Sequence, residues 1–406
     1  MADAMDDREP MAGAANRIYL DHNASAPLRP EAREALVAAL GSANPSSVHA
    51  EGRAARALVE DARRAVADLV GCNPGEVTFT SGASEAANMA LSPEWLIEGK
   101  RQVHEALAVL RTDHSAFIEG GRFDAESITL IDVDRDGVIR TDSLSAWLEA
   151  VDGVPAVLAI GLANSESGVI QDIAWLADKL EGRDIRLAVD ASQYAGRLPL
   201  DFDTCPADAL ILSSHKLGGP KGVGAIVLKS TSTRPFPLIR GGGQEKGRRS
   251  GTEPVAEIAG FGAAVRAAKF ELRNDDGRMG RLRDMMENAA TERSPETTVL
   301  GRNAHRLPNT SAFLTPGLKS ETAQIGLDLA GLAVSAGSAC SSGKVGKSHV
   351  VAAMAEAGLD VDPADGAVRV SFGRQTNEED LMRFVNEYVR LATKAAPKPR
   401  SMNHAA

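Results

Sequence analysis

Ser213, Ser214, His215 and Lys216 end an apolar run, Ala209 to Leu212, and glycine and proline follow them in Leu217-Gly-Gly-Pro-Lys-Gly-Val-Gly224. The run reads as a buried strand whose carboxyl end meets a ligand. A lysine at the mouth of a buried sheet is easily desolvated, which suits it to act as a Schiff-base amine. The ordinary alternative for any single lysine is a surface turn. Two further segments speak against that here. Arg186-Leu-Ala-Val-Asp-Ala-Ser-Gln193 ends a second apolar run in a carboxylate, Asp190, with an amide, Gln193, one turn later. A strand-end carboxylate of this kind partners a pyridinium nitrogen and keeps the ring an electron sink. Val77-Thr-Phe-Thr-Ser-Gly-Ala-Ser-Glu-Ala-Ala-Asn88 reads as a strand, a small-residue turn and a helix. The first N–H groups of that helix, with the Ser84 hydroxyl, make a phosphate cradle.

In this order, the three segments spell pyridoxal 5′-phosphate. A thiol adds a second chemistry. Cys340 sits in Ala336-Gly-Ser-Ala-Cys-Ser-Ser-Gly343, where small neighbours leave the sulfur accessible and supply little core. Only the thiolate is a good nucleophile, so a base or a lowered pKa must accompany it. Cys72, after an apolar helix end, and Cys205, before a strand, read as structural cysteines.

Such groups need a sheet to hold them. Short β-rich runs at 77–80, 128–133, 156–160, 187–190, 209–213 and 224–228 alternate with helical segments, which predicts a doubly wound, mostly parallel sheet. Helical periodicity over 51–70 puts Leu58, Ala62, Val66 and Leu69 on one stripe, and a second helical pattern runs over 254–272 with Pro254 in its first turn. Residues 91–111 match no element clearly. A chain of 406 residues exceeds one ordinary core, so a large domain and a smaller one are expected. The net charge of −10 disfavours nucleic acid or an anionic membrane as partner. Three cysteines without a C-x-x-C pair fit neither a disulfide framework nor a zinc or iron–sulfur site held by this chain alone, and no metal site is expected. No apolar run reaches membrane-spanning length, and the acidic, Ala-rich first sixteen residues lack a signal-peptide pattern. The expectation is a soluble cytoplasmic enzyme.

Further stretches complete an ordered set. They are Tyr19-Leu-Asp-His-Asn-Ala-Ser-Ala-Pro27, Asn44-Pro-Ser-Ser-Val-His49, Asn164-Ser-Glu-Ser-Gly-Val-Ile-Gln-Asp172, Arg249-Ser-Gly-Thr252 and Val368-Arg-Val-Ser-Phe-Gly-Arg374. With the segments above, they resemble the cysteine desulfurases, class V members of the fold-type-I pyridoxal-phosphate enzymes, and more closely the NifS/IscS-like group. The resemblance runs from about Ile18 to Leu391. It implies an α/β fold with a large cofactor-binding domain, 18–264, built on a mostly parallel seven-stranded sheet flanked by helices. A smaller α/β domain, 265–394, would carry the cysteine, and residues 18–30 would pack against it. Residues 1–17 and 395–406 are expected as a disordered N-terminal extension and a flexible tail.

The resemblance also implies roles. Lys216 would link the cofactor and move the α-proton of L-cysteine. His114, in Asp113-His-Ser-Ala116, would stack on the ring and handle the substrate thiol proton. Asp190 would hold the ring nitrogen and Gln193 the phenolic oxygen. Ala83, Ser84, Ser213 and His215 would bind the phosphate, with Thr252 reaching over from a partner subunit of a homodimer. Asn164 and Arg369 would hold the substrate carboxylate. Cys340 would take the sulfur as a persulfide, release L-alanine, and pass the sulfur to an acceptor protein for iron–sulfur clusters, tRNA thiolation or cofactors. Departures from the family pattern are Ser84 for threonine, Ser165 for a second asparagine, Asp113 for glutamate, and His22 and Ser25 near the N-terminus. A long Gly/Ser/Lys-rich segment after Cys340, with Lys344 and Lys347, suggests the group whose loop carries the persulfide to a partner. Two other readings stay open. One is a class V lyase such as selenocysteine lyase, which shares the lysine but differs in its need for Cys340. The other is a cofactor-binding scaffold with weakened turnover.

Overall fold

Runs such as Ala156-Val-Leu-Ala-Ile160 and Ala209-Leu-Ile-Leu212 have no polar face, so strands made from them must be covered on both sides. The computed structural model, which describes residues 17–337 and 347–395, shows how that is done. Along the chain lie β1 (Ile18–Tyr19), β2 (Val77–Thr80), β3 (Glu94–Ile97), β4 (Lys100–Val103), β5 (Ala106–Leu110), β6 (Ile128–Ile131), β7 (Ala156–Gly161) and β8 (Ile185–Asp190). Next come β9 (Ala209–Ser213), β10 (Gly224–Leu228), β11 (Arg234–Pro235), β12 (Thr298–Val299), β13 (Thr310–Leu314), β14 (Leu332–Ala333), β15 (Ser335–Ala336) and β16 (Val368–Ser371).

Seven of these form one sheet in the order β2-β10-β9-β8-β7-β5-β6. Strands β9, β8, β7, β5 and β6 run parallel, and β10 lies antiparallel to both its neighbours. Alternate residues of each strand feed opposite faces. One face packs with Val59, Val66 and Phe261 of helices Ala50–Val70 and Val255–Arg273. The other packs with Met89 of helix Ala83–Ala90, Trp95 and Phe117. A four-stranded antiparallel sheet, β12-β13-β16-β15, has its own core, where Phe313 of β13 packs against Phe384 and Tyr388 of helix Glu378–Ala395, with helix Arg278–Arg293 adding Met286. Strand β1 pairs parallel with β14, and Leu20 enters this second core, so the start of the described chain is built into its C-terminal part.

The seven-stranded, mostly parallel sheet expected from the sequence is present, and the runs at 77–80, 209–213 and 224–228 are strands to the residue. Residues 91–111 resolve into the hairpin β3–β4, which β11 joins in a small antiparallel sheet, and then β5 of the main sheet. The hairpin turns through Glu98 and Gly99, at φ 49° and 80°, a pair of left-handed residues that suits the twist of a tight hairpin. In helix Ala50–Val70 the buried face runs through Ala55, Val59, Ala62, Val66 and Leu69, and Leu58 is 39% exposed, one residue off the expected stripe. Pro254 caps helix Val255–Arg273 instead of opening its first turn, and that helix crosses residue 264 without a break.

Where β10 passes the start of helix Ala83–Ala90, only a glycine fits: a Cβ on Gly224 would sit 2.7 Å from both the Gly82 carbonyl carbon and the Leu212 oxygen. Gly224→Ala should therefore destabilise the protein by about 2 kcal/mol or more, read as a lower denaturant midpoint. The control is Gly41→Ala, whose added carbon meets nothing within 4 Å. It should leave the midpoint unchanged or slightly raised.

Candidate active site

Parallel register aligns Gly161 with Asp190, and Asp190 with Ile211, so the strand ends emerge together at one edge of the sheet. The segments just past these strand ends wall a single cavity of about 450 Å³. Thr112, Asp113 and His114 come after β5, Gly161 and Asn164 from β7, Asp190, Ser192 and Gln193 from β8, and Ser213, His215 and Lys216 from β9. Ala83 and Ser84, opening helix Ala83–Ala90, close the other side. Nine expected site residues thus meet in one place. Thr252 and Arg369 do not line this cavity, and Cys340 lies outside the described residues.

The polar atoms of the cavity are arranged in detail. Lys216 Nζ donates to the Asn23 carbonyl and, at 3.0 Å, to that of Ala24. Asp190 Oδ1 accepts the Ser192 N–H at 2.8 Å, which fixes the carboxylate at its strand end. Gln193 Nε2 donates to the Asn23 carbonyl at 3.0 Å, while its Oε1 and the Ser192 Oγ are buried without a partner. His114 caps a short helix: its Nδ1 accepts the Ala116 N–H at 3.1 Å, which leaves Nε2 to carry the hydrogen of a neutral ring. His215 Nδ1 lies 3.2 Å from Ser25 Oγ. Burial first, then the charges of Lys216 and Lys221, lower the His215 pKa to about 4, so the ring is neutral.

Other expected residues are committed elsewhere. The Asn164 amide donates to the Thr112 carbonyl at 2.8 Å and accepts the Glu166 and Ser167 N–H groups at 2.9 Å each, so it shapes the loop after β7. Arg369 is fully buried on β16. Its Nη2 pairs with Asp21 Oδ1 at 2.7 Å and its Nη1 with the Ser165 carbonyl at 3.0 Å, and its Nε has no partner. Thr252 is exposed at the end of a segment in which Glu245 and Lys246 take φ of 48° and 57°. A buried two-pronged ion pair, Glu245 with Arg63 at 2.8 Å on both prongs, holds that strained turn. His22 faces Tyr19 at 5.5 Å between ring centres and does not line the cavity; burial, then Arg197 and Arg29, lower its pKa to about 4. Sequence reasoning gave no role to Asp21, Asn23, Ser192 or Arg197. Asp21 and Asn23 stand inside the Tyr19–Pro27 motif, which was the signal that could have found them.

The aminotransferase class-V family matches residues 18–384. The chain belongs to that family. It is 38% identical to a cysteine desulfurase of Cereibacter sphaeroides, over 91% of this chain and 94% of the relative. It is 36% identical to the cysteine desulfurase IscS of Dictyoglomus turgidum, over 90% of this chain and 91% of that one. The solved structure of a NifS-like protein from Rickettsia africae superposes with a TM-score of 0.82 at 28% identity, covering 93% of this chain and 100% of that one. The fold is therefore the fold-type-I architecture of this class-V family.

In this class-V chain, neither described cysteine is an activated thiol. Burial pushes the Cys72 thiol up to about 12 and raises that of Cys205. The described residues that flank 338–346 are tied near the cavity. The Gly337 N–H donates to the Ala367 carbonyl at 2.8 Å, Ser348 Oγ donates to Glu166 Oε2 at 2.7 Å, and His349 Nε2 lies 2.9 Å from the Asp113 carbonyl. Among the described residues, no helix is long and apolar enough to cross a membrane.

Asp113 is the buried carboxyl behind His114. Its oxygens accept the Leu110 N–H at 3.0 Å and the Gly161 N–H at 2.8 Å, tying β5 to β7. Burial, with the charge of Asp190 added, pushes its pKa up to about 7 against the pull of those two N–H groups. The unfolded value is about 4, so the folded protein holds a proton that the unfolded chain releases, and stability falls as pH rises from about 4 through about 7. Asp113→Asn removes this titration. Denaturant unfolding at about pH 5 and about pH 8 should show wild type losing about 2–3 kcal/mol relative to the variant across that interval. Parallel pH curves would overturn the assignment.

Proposed function

We propose that this protein is a cysteine desulfurase. Using pyridoxal 5′-phosphate, it takes the sulfur of L-cysteine onto Cys340 as a persulfide and releases L-alanine. The sulfur then passes to an acceptor protein that supplies iron–sulfur clusters, other thio-cofactors or tRNA thiolation. One observation carries the reading: an amine, a carboxylate, an imidazole and an amide with an unpartnered buried oxygen converge on one cavity in a class-V chain.

The cavity's donors and acceptors fit the cofactor. The first N–H groups of helix Ala83–Ala90, with the Ser84 and Ser213 hydroxyls and neutral His215, would hold the phosphate. Asp190 would pair with the ring nitrogen. Gln193 would meet the phenolic oxygen, whose hydroxyl form satisfies the orphaned Oε1. Bound there, pyridoxal phosphate supplies an aldehyde that links to amines and a protonated ring that accepts an electron pair. Lys216, its amine released by substrate, takes the α-proton of L-cysteine. Asp190 would keep the ring nitrogen protonated. His114 would stand at the ring and exchange protons with the reacting groups. The Cys340 thiolate attacks the substrate sulfur: an S–S bond forms, the Cβ–S bond breaks, and its electron pair stays on the carbon, which takes a proton to become the methyl of alanine. Arg369, buried behind the cavity wall with its Nε unpartnered, would have to turn that donor toward the cavity to hold the substrate carboxylate, with Asn164 shaping the adjoining loop. Thr252, exposed, would complete the phosphate site of a second subunit in a cytoplasmic homodimer. Residues 18–264 and 265–394 would divide as the large and small domains.

Purified protein given L-cysteine and a reductant should release alanine and sulfide in equal amounts. Cys340→Ala should lose both by about 100-fold or more while keeping the Schiff-base absorbance band. Equal activity in the two proteins would remove the persulfide role and leave a lyase. A coloured but inert wild type would remove turnover itself.

A further inference from the structure

The Lys216 amine rests on main-chain carbonyls, and the first of them belongs to Asn23. Asn23 is fully buried, and its polar atoms are all engaged. Its N–H donates to Ser371 Oγ at 2.9 Å. Its Nδ2 donates to the Ser165 carbonyl at 3.1 Å and to Thr310 Oγ1 at 3.0 Å. Its Oδ1 accepts Arg197 Nη1 at 2.7 Å, and its carbonyl takes Gln193 Nε2 at 3.0 Å besides the lysine. Thr310 and Ser371 belong to the four-stranded sheet, whereas Lys216 and Gln193 come after strands of the seven-stranded one. The Ser165 carbonyl also accepts Arg369 Nη1 at 3.0 Å. One side chain therefore joins both sheets at the carbonyl that receives the lysine.

We infer that Asn23 is a positioning residue of the desulfurase reaction: its side chain anchors the carbonyl on which the Lys216 amine waits when the amine is not linked to the cofactor. The inference rests on the proposed role of Lys216. A lysine ends in a point charge on a flexible four-carbon stem, so an amine that must return repeatedly to one carbon gains from a fixed resting place. The anchors come from three directions: Thr310 and Ser371, Ser165, and Arg197. Through Ser165, the same anchor sets the distance between the lysine's resting place and Arg369. Removing the side chain leaves the carbonyl in the chain but releases it from three of its holds. The charged and titratable groups around this junction are Asp21, His22, Arg197, His215 and Arg369.

Two uncharged substitutions test this without adding a charge beside the lysine. Asn23→Ala removes the side-chain anchors, and Thr310→Val removes one of them from the opposite sheet while leaving Asn23 paired with Arg197. Both are read in the cofactor-loaded protein by the pH midpoint of kcat, which reports the amine released in the substrate complex, by kcat and KM for L-cysteine, and by melting temperature. Asn23→Ala should shift the midpoint by about one pH unit and lower kcat about ten-fold with KM within about two-fold. Thr310→Val should move both in the same direction by about a third as much on a logarithmic scale. Should Asn23→Ala fail to fold, Thr310→Val decides. A lower melting temperature with an unchanged midpoint and kcat would show a purely structural residue and overturn the inference. A wild type lacking the Schiff-base band altogether would instead remove the role of Lys216 on which it rests.

Discussion

Parallel pairing is the constraint on which the site depends. Strands β5, β7, β8 and β9 share one direction, so the segments that leave them all emerge at the same edge. Both faces of the sheet are apolar and covered, which leaves the strand ends as the place where polar side chains can gather without costing core. The edge itself is tied by a carboxyl: Asp113 bridges the ends of β5 and β7, and a Cβ at Gly161 would come within 2.8 Å of its oxygen. The single reversed strand, β10, then matters as much as the parallel ones. Lying antiparallel between β9 and β2, it brings the turn at Gly82 against Gly224, and so sets helix Ala83–Ala90 across the cavity from Lys216.

Local pattern made the sheet and the groups at its edge legible. An apolar run that ends at once in polar residues identifies both a strand and its carboxyl end, which is why Asp190, Gln193, His215 and Lys216 were recognisable in the sequence alone. Strand β5 was not recognisable, because its five residues come after a short charged hairpin and carry no turn residue of their own. The stripe on helix Ala50–Val70 was displaced because steps of three and four residues alternate along a helical face, and Leu58 begins a row that Val59 occupies. Least legible were interactions between distant parts of the chain. Arg369 reads as a fork for a carboxylate, yet the carboxylate it holds is that of Asp21, 348 positions away. Asn23 works through its own main-chain carbonyl and through partners on both sheets, and no sequence spacing reports that.

The charges near the cavity are sorted. Asp113 lies within electrostatic reach of Asp190 and His114, and His215 within reach of Lys216 and Lys221. Under the proposed reading, the cofactor brings a positive ring nitrogen and a negative phosphate, and the cavity offers the first a carboxylate and the second N–H and hydroxyl donors. Beside it, the fully buried Arg369 pairs with Asp21, and the part-buried Arg197, within electrostatic reach of Arg369, finds its acceptor in the neutral amide of Asn23. Burial first, and then the like charge of Arg369, lower the Arg197 pKa to about 9. An excess of buried charge is costly unless a counter-charge arrives with good geometry. Under the proposed reading, a substrate with a free carboxylate would offset that cost on binding, whereas an amine of the same size without one would leave it in place. On that reading Arg369, which reaches the cavity wall through the Ser165 carbonyl, would favour substrates that carry a carboxylate.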